Sequence, residues 1–188
     1  MVSHRQPEEA TKILLAQMVR QAVALQGMSQ RVASELIARL AQISNCRYVK
    51  ESTLDPTRVR DNIRLAGDRM TVFAGVLGYE SFWLGAEGWV AVCSNVIPRW
   101  SAELFELVAD RRDMDKALAL YNRMTPLLWW VGGPRYVSGT KAAFELMGMP
   151  MGPPRAPRLP LPEAQRPGLR AVLHQMGLLG EEKLRATA

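Results

Sequence analysis

At 188 residues, 48% hydrophobic and 22% charged, the chain has the length and mixture of one ordinary soluble globular domain, which excludes a polypeptide disordered throughout. A net charge of +6 and a pI near 9.7 raise nucleic-acid binding, but the arginines are scattered from Arg5 to Arg185 without a dense block beyond Arg111-Arg112 or interleaved aromatics, so no nucleic-acid partner is expected. No run of about 18 apolar residues is present and Met1 to Glu9 lacks the apolar core of a signal peptide, so no membrane partner is expected and the cytoplasm is the expected location.

In chain order, Pro7-Glu8-Glu9 reads as the first turn of a helix, with proline where its missing N–H costs nothing and acids near the positive end of the dipole. Leu14, Met18, Ala22 and Leu25 fall on one face, so this amphipathic helix runs to about Leu25 and ends near Gly27. A second helix is expected from about Ala33 to Gln42, with Leu36, Ile37 and Leu40 inward. A short apolar run, Tyr48-Val49-Lys50, then ends on a lysine and is followed by Glu51-Ser52-Thr53. In an extended segment Tyr48 and Lys50 share one face, and Val49 and Glu51 the other.

Asp55-Pro56 marks the next helix start, with Val59 and Ile63 as its buried edge and Gly67-Asp68 as its stop. A strand from Thr71 to Ala74, a short helix from Tyr79 to Leu84 and a strand from Trp89 to Cys93 give the alternation of a parallel sheet. Beyond Pro98 the pattern is helical. Ser101 to Arg111 forms one helix, and Asp113 caps another whose Ala117, Leu120, Tyr121, Met124, Leu127 and Leu128 recur at helical spacing, with a kink expected at Pro126 and Trp129-Trp130 at its end. Gly132-Gly133-Pro134 is a break, Ser138 to Met147 a shorter helix with Gly148 past its end, and Pro150 to Pro162 a proline-rich connector. The last helix spans about Glu163 to Met176, and the tail from Glu181 to Ala188 is expected to fray.

Lys50 is the residue with chemistry to offer. An amine attacks a ketone only when neutral, so a catalytic lysine needs a partly desolvated site, and the end of a barrel strand supplies one; the alternative is a solvated side chain. Glu51 is expected to be an exposed acid, Asp55 a helix cap and Tyr48 part of a packed interior layer. Cys46 and Cys93 read as reduced core thiols, and His4 and His174 have no second ligand nearby, so no metal is expected. Trp89, Trp129 and Trp130 are expected in the core, and Met147, Met149 and Met151 as adaptable loop packing.

From about Val32 to Leu179 several blocks in order resemble the C-terminal half of the dihydrodipicolinate synthase and N-acetylneuraminate lyase family, Schiff-base enzymes on a (β/α)8 barrel. Ser34 to Leu40 resembles the helix before the family's lysine strand, Tyr48 to Thr53 that strand with its lysine at Lys50, and Thr71 to Gly75 the next strand. Leu84 to Val96 is similar to the approach to the last barrel strand, and Gly139 to Gly148 with the prolines after it to the family's extra C-terminal helices. The sequence departs from the pattern in having no glycine-threonine-threonine-glycine-glutamate loop for the keto-acid carboxylate and no tyrosine strand for proton relay. Leu54 stands where the family has a glycine before the aspartate.

The resemblance implies an α/β fold: part of a TIM barrel, about three parallel strands, with helices added at the C-terminus. It divides the chain into an N-terminal helix at 1–30, half-barrel βα units at 31–131 and a helical extension at 132–188. It implies a class I lyase or aldolase acting on pyruvate or a related 2-keto acid, with Lys50 forming the imine and Gly75, Val90 and Ala91 lining the keto-acid site. No cofactor is expected. The expected partners are the substrate and either a second copy of the chain or a complementing barrel half. The alternatives are a catalytically inactive barrel fragment, a protein-interaction remnant and a basic binding module.

Overall fold

The structure, a computed structural model, describes residues 30–179; the helix expected from Pro7 to Leu25 and the tail from Glu181 lie outside them. The elements are α1 (Gln30–Leu40), β1 (Tyr48–Glu51), α2 (Thr57–Ala66), β2 (Thr71–Ala74), α3 (Gly78–Trp83), β3 (Gly88–Trp89), α4 (Pro98–Ala109), α5 (Met114–Val131), α6 (Tyr136–Leu146) and α7 (Arg166–Gln175). The strands form a parallel sheet in the order β1-β2-β3. Lys50 stands opposite Phe73, and Phe73 opposite Gly88, so these three share one face of the sheet.

The boundaries follow local chemistry. At the start of α2, Asp55 Oδ1 accepts from the Thr57 amide at 3.0 Å and from its hydroxyl at 2.6 Å, as a capping residue should. Gly67, at φ 57°, closes the helix in the left-handed region. Asp113 accepts from the Lys116 amide at the start of α5, which then continues through Pro126 as one helix to Val131.

Four expectations need correction. The strand expected from Trp89 to Cys93 ends at Trp89. The Val90 amide still donates to Ala74 O at 2.9 Å, but Ser94 Oγ and Asn95 Nδ2 then donate to the carbonyls of Ala91 and Val92 at 2.7 and 2.9 Å, folding the segment into a 3-10 turn at Cys93–Asn95. Glu51, expected to be exposed, is 8% exposed because alternation turns it into the helix layer. Tyr48, expected inside a packed layer, is 72% exposed because the three strands among the described residues leave that face of the sheet open. Trp129, expected in the core, is 75% exposed because it falls off the buried stripe of α5, which passes from Leu128 to Val131 on the other side of the helix.

The apolar core lies mainly among α4 to α7, where Leu104, Met124, Leu127, Leu169 and Leu173 are fully buried. Tyr79 of α3 stacks on Tyr121 of α5 with ring centroids 5.5 Å apart, tying the sheet side to this bundle. Behind the sheet Val59, Val72, Ala74 and Ala86 form a smaller cluster. The helices therefore cover one face of the sheet and hold all three C-terminal strand ends to the same side.

Candidate functional site

Lys50 is the third residue of β1, exposed on the open face with Tyr48 two residues before it. Its cross-strand neighbour Phe73 lies over Gly88, where a β-carbon would come within 2.5 Å of the Phe73 ring, and Tyr48 meets Phe73 at a centroid distance of 6.0 Å. The neighbours of Lys50 on its own face, along the strand and across it, are thus Tyr48 and Phe73. The N-terminal direction of each strand is away from the site, so the segments that follow the strands, Ser52 to Pro56, Gly75 to Leu77 and Val90 to Val92, gather at its rim.

Gly75 is buried there, and a β-carbon on it would collide with the Glu51 carbonyl and with Ser52. Its own carbonyl accepts from the Trp89 indole at 2.7 Å. Val90 is 48% exposed at the open end of the sheet, whereas Ala91 is half-buried and its carbonyl is taken by Ser94. Lys50, Gly75 and Val90 are therefore brought to one end of the sheet. Leu54, also on the rim, has φ 63°, a left-handed conformation that suits glycine and strains leucine.

Behind β1 lies a polar cluster that sequence reasoning missed. Glu51 Oε1 accepts from the Thr53 amide at 2.7 Å, and Oε2 accepts from Asn62 Nδ2 at 3.3 Å. Arg58 Nε stands 3.4 Å from Oε2, an ion pair without hydrogen-bond alignment. Asn62 is fully buried and its Oδ1 has no partner. The signal available in the sequence was the spacing of Arg58 and Asn62, one turn apart on α2, combined with alternation along β1.

An open groove of about 400 Å³ lies elsewhere, between α6 and the proline-rich connector. Its charges are already satisfied: Lys141 Nζ donates to the Met151 and Gly152 carbonyls at 2.8 and 3.2 Å, and Arg166 pairs with Glu145 and Glu163. At the C-terminal ends of β1 and β2, on the helix-covered side, lies a small depression lined by Glu51, Thr53, Leu54, Val59, Val76 and Ser81; Lys50 does not line it. Among the described residues no group of three or more His, Cys, Asp or Glu side chains could hold a metal ion. Burial pushes the Cys93 thiol up to about 11 against the opposing contact from Ser101, so it is protonated at neutral pH and no nucleophile.

Comparison with known proteins gives this geometry its context. A model of the dihydrodipicolinate synthetase family matches residues 15–176, beginning earlier than the blocks from Val32 onward. A 4-hydroxy-tetrahydrodipicolinate synthase of Syntrophus aciditrophicus is 32% identical over 151 residues, covering 79% of this chain and 52% of the relative. An uncharacterized DapA-like lyase of Pyrobaculum islandicum is 32% identical, with 77% and 51% covered. Among solved structures, the chloride-inhibited dihydrodipicolinate synthase of Acinetobacter baumannii complexed with pyruvate superposes with a TM-score of 0.71 at 28% identity, over 78% of this chain and 50% of that one. A putative dihydrodipicolinate synthetase of Pseudomonas aeruginosa gives 0.67 at 33% identity, over 76% and 50%. The chain spans about half the length of the curated relatives it matches.

Proposed function

Since the chain belongs to the dihydrodipicolinate synthetase family, we propose that Lys50 is a Schiff-base nucleophile and that the chain carries the lysine-bearing part of a class I lyase or aldolase acting on pyruvate or a related 2-keto acid. The observation that carries the reading is the lysine near the C-terminal end of a strand in a parallel sheet, at the end where barrel enzymes hold their chemistry. The free amine adds to the ketone carbon, and the carbinolamine loses water to give an imine. The imine draws electrons from the adjacent carbon, so that loss of a proton there leaves an enamine able to form a carbon–carbon bond with an aldehyde; the reverse sequence breaks one.

Within that reading Gly75, Val90 and Ala91 line the keto-acid side. Gly75 serves by its small size, since its carbonyl is occupied by Trp89. Val90 offers exposed apolar surface, and Ala91 a small side chain beside it. The carboxylate cradle and the proton relay have no counterpart among the described residues, so the working site requires further strands, from another segment of the same polypeptide or from a partner chain.

The second reading, a catalytically inactive fragment or interaction remnant, is favoured by the open sheet face on which Tyr48 is exposed. One experiment separates the two. Incubation with pyruvate and borohydride, followed by peptide mapping, is expected to add the reduced three-carbon unit to Lys50 and to nothing in Lys50→Ala. No adduct under conditions that label a full-length relative rejects the nucleophile and leaves the remnant.

A further inference from the structure

We infer that Glu51 is a positioning residue for Lys50: with Arg58 and Asn62 behind the strand, its carboxylate fixes the direction in which the lysine side chain leaves β1. The inference rests on reading Lys50 as the imine-forming nucleophile, and its geometric part stands apart from that reading.

Three observations converge. Glu51 follows Lys50 directly, and alternation sends the two side chains to opposite faces, the amine to the open side and the carboxylate into the helix layer. The carboxylate joins three segments, the strand to which it belongs, the loop through the Thr53 amide, and α2 through Asn62 and Arg58. β1 has only four residues and, among the described residues, is paired on one edge alone, so its C-terminal end depends on such a tie. On the remaining side Gly75 is pressed against the Glu51 carbonyl and Ser52 with no room for a β-carbon, so β1 cannot shift toward β2 either.

The third observation is what the cluster sacrifices. The Glu51 side chain is 7% exposed and that of Arg58 20%, and an ion pair with a buried member is seldom a source of net stability, because desolvation offsets the attraction and apolar residues of similar volume often do as well. Here Asn62 is fully buried yet leaves its Oδ1 unpartnered, a further cost that an apolar residue would avoid. A polar cluster with an unpartnered buried oxygen, directly behind the lysine, is better accounted for by the geometry it imposes than by stability.

The test separates stability from geometry. The variant Glu51→Leu/Arg58→Met/Asn62→Leu is expected to unfold at an equal or higher urea concentration. Its rate of reductive labelling of Lys50 at saturating pyruvate should nevertheless fall by about tenfold to a hundredfold, with the half-saturating pyruvate concentration unchanged. Glu51→Gln keeps an oxygen for the Thr53 amide and should label within about threefold of the parent. Unchanged labelling in the folded triple variant overturns the inference. Should the triple variant not fold, Glu51→Asp takes its place: one methylene shorter, it cannot reach Thr53 and α2 together, and at equal folded fraction it must show the same slowing or the inference fails. If the parent itself takes no pyruvate, the nucleophile reading falls instead, and hydrogen exchange decides the geometric part. Loss of protection at the amides of Lys50 to Thr53, with β2 unaffected, sustains it, and unchanged protection overturns it.

Discussion

Leu54 offers a direct measure of strain at the site. It lies on the loop that follows Lys50, at φ 63° and 53% exposed. Truncating it to alanine and to glycine removes nearly the same side chain, so the difference between the two variants isolates the backbone term. In the left-handed region a β-carbon costs roughly 1–2 kcal/mol. Glycine gives back about 0.4–1 kcal/mol through the freedom it adds to the unfolded chain. Leu54→Gly should therefore be more stable than Leu54→Ala by about 0.5–1 kcal/mol, the reverse of their order at an ordinary position. With a urea slope of about 2 kcal/mol/M, this separates the unfolding midpoints by roughly 0.25–0.5 M at equal slope. Equal midpoints, or alanine above glycine, would show that the loop relaxes out of the left-handed conformation and that no strain is stored there.

Two further outcomes follow from the same structure. Gly75→Ala forces a β-carbon into the Glu51 carbonyl and Ser52, so it should destabilise by about 1–3 kcal/mol in urea unfolding and slow Lys50 labelling with it; a neutral variant would mean that the ends of β1 and β2 are not in contact. Asp113 is held below the usual carboxylate range by its hydrogen bonds to the side chain and amide of Lys116. A carboxyl depressed on folding stabilises the protein above its unfolded-state value, and that contribution is lost as pH falls through the folded one. Asp113→Ala should thus lower the melting temperature at pH 7 by more than at a pH where the carboxyl is protonated in both the folded and unfolded chain, whereas a pH-independent deficit would rule out the charge's share in the cap.

The helices and the lysine strand were legible in the sequence because each rests on local signals. Asp55 and Asp113 announce helix starts through their side-chain oxygens, and Gly67 and Gly148 announce ends through positive φ. The stripe from Ala117 to Leu128 is buried throughout as its spacing implies. Legibility failed where exposure depends on a partner outside the segment. Glu51 looks like a surface acid until α2 is folded against β1, and Tyr48 looks like an interior residue until the strands are counted. β3 is shorter than its sequence suggests because Val90 and Val92 favour a strand, while the decision to turn is taken by Ser94 and Asn95 further on.

The two sides of β1 therefore carry different parts of the same task. An amine attacks a ketone only as the free base, and withdrawal from water favours that form. The covered side of the strand supplies order: Glu51 ties the backbone next to the lysine to α2 through Arg58 and Asn62. The open side supplies no wall, and Tyr48 and Val90 stand exposed on it. On the proposed reading of Lys50, positioning and desolvation are separable contributions, and the described residues supply the first. A polypeptide segment that adds parallel strands along β1 would cover Tyr48 and Lys50 together, so the same event would close the sheet edge, remove apolar surface from water and raise the labelling of Lys50 above that of the chain alone. Covering of Tyr48 and labelling of Lys50 should then rise in step when such a segment is supplied. Covering of Tyr48 without labelling would mean that the lysine has lost its chemistry, and not merely its cavity.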